Sequence, residues 1–153
     1  MLRLSKKADY ALMAMKHLAL RSDRGSAGSS SAREIAELYD IPIELMAKVL
    51  QRLARRGLLA SHQGTRGGYE LARRPTEISV ADVIQAIDGP VTVTACSTDD
   101  SQCEQFAKCN VRDPLWRVRE RILAALGDCT IAELAADVPP PAVPRTAVLH
   151  THS

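Results

Sequence analysis

Cys96, Cys103 and Cys109 follow the pattern C-x6-C-x5-C in a polar, acidic stretch of the chain. Thiolates are soft ligands, and three on one loop can hold a metal or a cluster. Structural zinc sites usually carry a C-x2–4-C knuckle, which this stretch lacks. A disulfide framework would leave a thiol over and belongs to an oxidising compartment. Widely spaced thiolates can instead wrap an iron–sulfur cluster, whose irons are ligated at separate corners. Three cysteines are one ligand short of a closed cluster. On spacing alone the cluster leads, and zinc and free thiols stay open. Cys129 reads as a small hydrophobe. The four histidines, His17, His62, His150 and His152, are scattered. No Ser–His–Asp arrangement, phosphate loop or carboxylate pair is present, so an enzyme is not expected.

A second chemistry lies in the charge distribution. The net charge is only +2, yet Lys48 to Arg74 holds seven cations (Lys48, Arg52, Arg55, Arg56, Arg66, Arg73, Arg74) against Glu70. Glu77 to Asp113 holds seven acids against Lys108 and Arg112. A basic middle followed by an acidic segment is a polarised molecule, with the basic part a candidate polyanion surface.

Both chemistries need elements to position them. The chain has 153 residues, 46% hydrophobic and only 3% aromatic, which suits one domain of packed helices with an appendage. No run approaches the ~20 apolar residues of a membrane span, and no secretory leader is visible, so a cytoplasmic protein is expected. Leu4, Ala8, Ala11, Leu12, Met15, Leu18 and Ala19 predict a helix from Ser5 to about Leu20. A Gly- and Ser-rich loop follows over Arg21 to Ser30. Ser31 and Glu34 form an S-x-x-E box opening a short helix, Ala32–Tyr39. Asp40-Ile41-Pro42 breaks it and starts another helix, which ends near Arg56 before Gly57. Met46, Val49, Leu50 and Leu53 make its apolar stripe; Glu44, Ala47, Lys48, Gln51, Arg52 and Arg55 fall elsewhere and are free for solvent or a ligand.

Leu58–Ser61 and Tyr69–Ala72 flank a Gly-rich turn and read as a β-hairpin. Ser79 caps a helix that ends at Gly89. Asp113, as a cap before Pro114, starts a helix carrying Leu115, Val118, Ile122 and Leu126. Thr130 and Glu133 form a last capping box. The expected organisation is a winged helix-turn-helix domain over 1–89, a cluster-binding loop over 90–112, and a dimerisation helix with a short following helix over 113–137. Residues 138–153, with Pro139, Pro140, Pro141 and Pro144, form an expected disordered tail.

The order helix, loop, short helix, tight turn, longer helix, hairpin is that of a winged helix-turn-helix. Its second helix of the pair can lie in the major groove while the first braces it. Pro42, Glu44, Ala47, Lys48, Gln51, Arg52 and Arg55 are then candidates for DNA contact on the helix. Thr65, Arg66 and Gly67 are candidates at the hairpin tip, where a guanidinium among glycines can approach a narrow minor groove. A plain bundle with a solvated basic face would leave unexplained why cations fall on both elements.

The opening Leu2-Arg3-Leu4-Ser5-Lys6-Lys7-Ala8-Asp9-Tyr10, the wing Gly64-Thr65-Arg66-Gly67-Gly68-Tyr69 and the three cysteines before Leu115-Trp116 resemble the IscR/NsrR-type iron–sulfur repressor family. The opening is most similar to the branch that regulates SUF cluster-assembly genes. The resemblance covers about residues 1 to 137. It implies a homodimer held by a long C-terminal helix (Leu115, Val118, Ile122, Leu126), a cluster near the dimer interface, and promoter binding controlled by cluster state. Members near the housekeeping branch place a His three residues after the third cysteine, where this chain has Arg112, which cannot ligate iron. The nitric-oxide-sensing branch takes its fourth ligand from an acid in the partner's first helix, and Asp9 stands at the matching place. The resemblance thus implies a 4Fe–4S cluster on Cys96, Cys103, Cys109 and the partner subunit's Asp9, with 2Fe–2S as the other nuclearity and Asp113 and His62 as lesser ligand candidates. The expected function is a cytoplasmic, cluster-dependent repressor of Fe–S assembly genes. The alternatives are a nitric-oxide or redox sensor, a cluster carrier, and a zinc-stabilised DNA-binding module.

Overall fold

The computed structural model describes residues 4–23, 29–64, 67–90 and 112–136. Helix α1 (Lys6–Asp23) starts where Ser5 Oγ accepts the Ala8 N–H at 3.1 Å. Its core side is Ala8, Ala11, Ala14 and Ala19 around Met15 and Leu18, all fully buried. Small residues there let neighbouring helices approach closely. The helix outruns its expected end at Leu20, and Leu4, which the spacing places on the apolar stripe, lies before the helix and is 43% exposed.

Helix α2 (Ala32–Leu38) is capped by Ser31, whose hydroxyl accepts the Glu34 N–H at 3.1 Å. Only this forward half of the expected box forms. Asp40 takes a left-handed φ of 53°, which turns the chain, and the Ile41 N–H then donates back to the Ala36 carbonyl. Helix α3 (Ile43–Arg55) begins after Pro42 and buries Met46, Val49, Leu50 and Leu53, the expected stripe. It ends in a Schellman motif: Gly57 has φ +78°, Gly57 N–H donates to Ala54 and Leu58 N–H to Leu53. Leu58 is thereby committed to the helix end. The hairpin β1 (Leu59–His62) and β2 (Gly68–Leu71) consequently starts one residue later than expected, with Leu59 opposite Leu71 and His62 opposite Gly68.

Ser30, expected to lie in a loop, is 1% exposed and bridges β2. Its N–H and carbonyl exchange bonds with Tyr69 at 2.9 and 2.8 Å. A 3-10 turn (Pro75–Glu77) leads to α4 (Val80–Asp88), where Ser79 and Asp82 complete a reciprocal capping box. Helix α5 (Arg112–Asp128) starts before Asp113, so that residue belongs to the first turn and is not its cap. Thr130 caps α6 (Ile131–Ala135) through the Glu133 N–H, again without the reciprocal half. Helix α6 returns to the centre: Ile131 N–H bonds the Ile78 carbonyl at 2.8 Å, and its side chain is fully buried in the same core as Met15, Ile35 and Leu50. The described residues are thus mainly α with one antiparallel hairpin, a winged helix-turn-helix. No helix among the described residues is long and apolar enough to cross a membrane.

Candidate nucleic-acid interface

The apolar stripe of α3 fixes which side chains face away from the core. At 100° per residue, Glu44, Lys48, Gln51 and Arg55 lie opposite the stripe and all four are exposed; Ala47 beside them is half-buried. Pro42 is exposed at the N-cap position. The sequence-derived set on this helix therefore lies on one outward face, with a carboxylate at its start and cations toward its end.

Arg52 is the exception. Its Nε–H donates to the Ala86 carbonyl at 2.9 Å, a group in the last turn of α4. Sequence spacing leaves Arg52 free for a ligand; in the structure one of its donors is used to tie the recognition helix to α4. The Ala86 carbonyl is one of the last four of its helix, which lack intrahelical partners, and a cation there also suits the helix dipole.

Lys7, Lys48, Val49, Gln51, Arg52, Arg55 and Ile87 line an open cavity of about 320 Å³ where α1, α3 and α4 meet. Lys7 was not among the residues the sequence singles out. Only the tertiary approach of α1 to α3 brings it to this face.

On the wing, Gly67 N–H donates to the Gly64 carbonyl at 2.9 Å, and a Cβ at Gly67 would meet the His62 carbonyl at 2.6 Å. Gly67 thus has a turn-forming role, while Thr65 and Arg66 lie outside the described residues. His62 Nε2 contacts Glu70 Oε1 at 2.6 Å across the hairpin, which places this lesser ligand candidate in a wing pair.

Behind the wing, His17 joins three elements. Its ring contacts Tyr39 Oη at 3.1 Å and the buried Ser30 Oγ at 3.3 Å. Burial, then the nearby Arg21, holds its pKa below the ordinary value, with Glu34 opposing them. The ring is therefore neutral at pH 7. This site carried no sequence signal beyond a lone histidine on a helix.

Of the metal candidates, Cys96, Cys103 and Cys109 lie outside the described residues. Asp9 is exposed in the first turn of α1, and no donor among the described residues engages its carboxylate. Cys129 is half-buried, less so than a core hydrophobe; burial, then Glu133, pushes its thiol pKa up. A thiol held protonated is a poor ligand. Among the described residues no three His, Cys, Asp or Glu side chains cluster as a metal site.

A helix pair joined by a tight turn, an outward polar face on the second helix and a glycine-tipped hairpin beside it define a winged-helix DNA-binding regulator. Comparison with known proteins gives that class a family. Residues 4–137 match the model of the Rrf2 family, described as an iron-dependent transcriptional regulator. The chain is 36% identical over 134 residues to the HTH-type transcriptional regulator IscR of Serratia proteamaculans (strain 568), covering 87% of this chain and 79% of that protein. Among solved structures it is similar to CymR, the global cysteine regulator of B. subtilis, with a TM-score of 0.70 and 27% identity over 91% of this chain and 100% of that one. It is also similar to T. potens IscR, with a TM-score of 0.67 and 26% identity over 94% and 93% of the two chains. The chain belongs to the Rrf2 family of transcriptional regulators.

Proposed function

We propose that this chain is a cytoplasmic, homodimeric repressor of Fe–S cluster-assembly genes, and that an iron–sulfur cluster controls its promoter binding. Glu44, Ala47, Lys48, Gln51 and Arg55, with Pro42 at the helix start, meet the major groove, and Thr65, Arg66 and Gly67 of the wing meet the minor groove. The observation that carries the DNA half of this reading is the single outward face of α3, whose opposite side is wholly committed to the core.

The cluster half rests on donor chemistry. Cys96, Cys103, Cys109 and the partner subunit's Asp9 would supply three soft thiolates and one hard carboxylate, a set that fits a 4Fe–4S group with one weakly held iron. When bound, the group supplies a redox- and ligand-sensitive centre. The exposed carboxylate of Asp9, which no donor among the described residues engages, and the iron-dependent character of the family support this assignment. A carboxylate crossing from one chain to the other would tie occupancy to dimer geometry, and hence to the spacing of the two α3 helices. The same donor set would serve a nitric-oxide or redox sensor.

The likeness to a cysteine regulator favours a second reading, a repressor responding to cysteine supply without a cluster. Anaerobic purification separates the two. About four irons and four sulfides per chain with visible absorption, lost in Cys103→Ser, are expected. A colourless, iron-free protein that still binds DNA would overturn the cluster and leave the second reading.

A further inference from the structure

We propose that the groove between the start of α1, the middle of α3 and the end of α4 seats a backbone phosphate of duplex DNA, gripped by Lys7 and Arg52. The proposal rests on DNA binding by this family and adds a phosphate site that joins the start of α1 to the recognition helix. The groove holds about 320 Å³, and its lining contains four cations, Lys7, Lys48, Arg52 and Arg55, and no carboxylate among the described residues. Four like charges around one concavity repel one another, and an anion relieves that repulsion. Lys48 and Arg55 also belong to the outward face of α3, so the groove opens on the side that meets DNA. A duplex phosphate is therefore the occupant that reaches it while α3 lies in the major groove.

Two contacts hold the grip in place. Arg52 Nε–H is fixed on the Ala86 carbonyl at 2.9 Å, which orients the guanidinium and leaves its two terminal amino groups for phosphate oxygens. Ser5 donates its hydroxyl to Asp88 Oδ1 at 2.6 Å and its N–H to Asp88 Oδ2 at 3.3 Å, which pins the turn of α1 that carries Lys7. Both restraints end on the last turn of α4, so Asp88 is a positioning residue for Lys7.

The test is anisotropy of the full chain with a mixed-sequence duplex across a salt series, because phosphate contacts need no operator. Lys7→Gln should weaken binding about three- to tenfold at low salt and lower the magnitude of the log–log salt slope by ~0.9 for each protomer engaged, one phosphate's worth per chain. Arg52→Gln should do the same. Asp88→Ala gives opposite signs for two explanations: removal of a negative charge alone would tighten binding, whereas loss of positioning weakens it about two- to fivefold with the slope unchanged. Circular dichroism confirms that each variant is folded. Wild-type affinity and slope in Lys7→Gln, or tighter binding by Asp88→Ala, would overturn the groove while leaving α3 and the wing intact. Failure of the wild-type chain to bind duplex at low salt would overturn DNA binding itself.

Discussion

Single atoms decide much in this molecule, and Gly68 is the clearest case. A Cβ there would lie 2.7 Å from the Ser30 carbonyl carbon and oxygen. Those are backbone atoms already locked to Tyr69, so no side-chain rotation relieves the clash. Gly68→Ala should therefore cost about 1–3 kcal/mol, as overpacking does, and lower Tm by several degrees. An unchanged melting curve would mean that the wing does not press on Ser30. Cys129 makes the converse prediction. Its backbone carbonyl accepts from Val80, but its thiol is held protonated by burial and Glu133. Cys129→Ala should keep wild-type iron content after anaerobic reconstitution, where Cys96→Ala, Cys103→Ala and Cys109→Ala lose it. Asp9→Ala should assemble a cluster that decays faster in air, because water can occupy the open iron. Equal decay in Asp9→Ala and wild type would remove Asp9 from the ligand set.

Between elements, the His17 ring ties α1 to Tyr39 at the end of α2 and to Ser30 at the wing's base. Its pKa is lowered on folding, so the unfolded chain takes up a proton more readily than the folded one. Stability should be full above the ordinary histidine value of about 6.5 and fall as pH drops through it toward the lower folded value. His17→Gln should flatten the pH dependence of Tm between about pH 7.5 and 5.5; an identical slope in both proteins would show that another group titrates. Signals local to the chain were legible in advance: the Ser31, Ser79 and Thr130 caps, the stripe of α3, Gly57 after it, and the hairpin. They depend on neighbours within a turn or a strand. The contacts that build the candidate site do not. Ser30 with Tyr69, Arg52 with Ala86, and Ser5 with Asp88 join residues far apart in sequence, and no residue type or spacing announces them. The three cysteines stand out by pattern but lie outside the described residues, whereas Lys7 is a candidate only through the approach of α1 to α3.

For the whole molecule, α5 is the element on which the proposed homodimer rests. Its 17 residues would extend ~25 Å at 1.5 Å per residue, yet none of those described from Pro114 to Asp128 is buried. Trp116 is 45% and Val118 43% exposed, while Leu115, Ile122 and Leu126 are half-buried on a seam spaced three, four and four. Such a stripe on a long helix suits a second copy, and a winged-helix reader needs two copies to address half-sites one helical turn apart. The last turn of α4 lies just before the stretch that carries the cysteines, and α5 just after it. Cross-chain ligation by the partner subunit's Asp9, as proposed above, also requires such a dimer. Ile122→Asp puts one unpaired carboxylate per chain into the seam. Two desolvated like charges should weaken the dimer at least about a hundredfold, at 1.4 kcal/mol per factor of ten. Sedimentation velocity at micromolar concentration should then show monomers, with the helical signal retained because Ile122 lies outside the main core. Glu120→Lys, on the opposite side of α5, should remain dimeric. Loss of the dimer should also weaken binding to a two-half-site operator far more than binding to a short nonspecific duplex. If Ile122→Asp sediments as the wild type does, the dimer axis lies elsewhere than along α5.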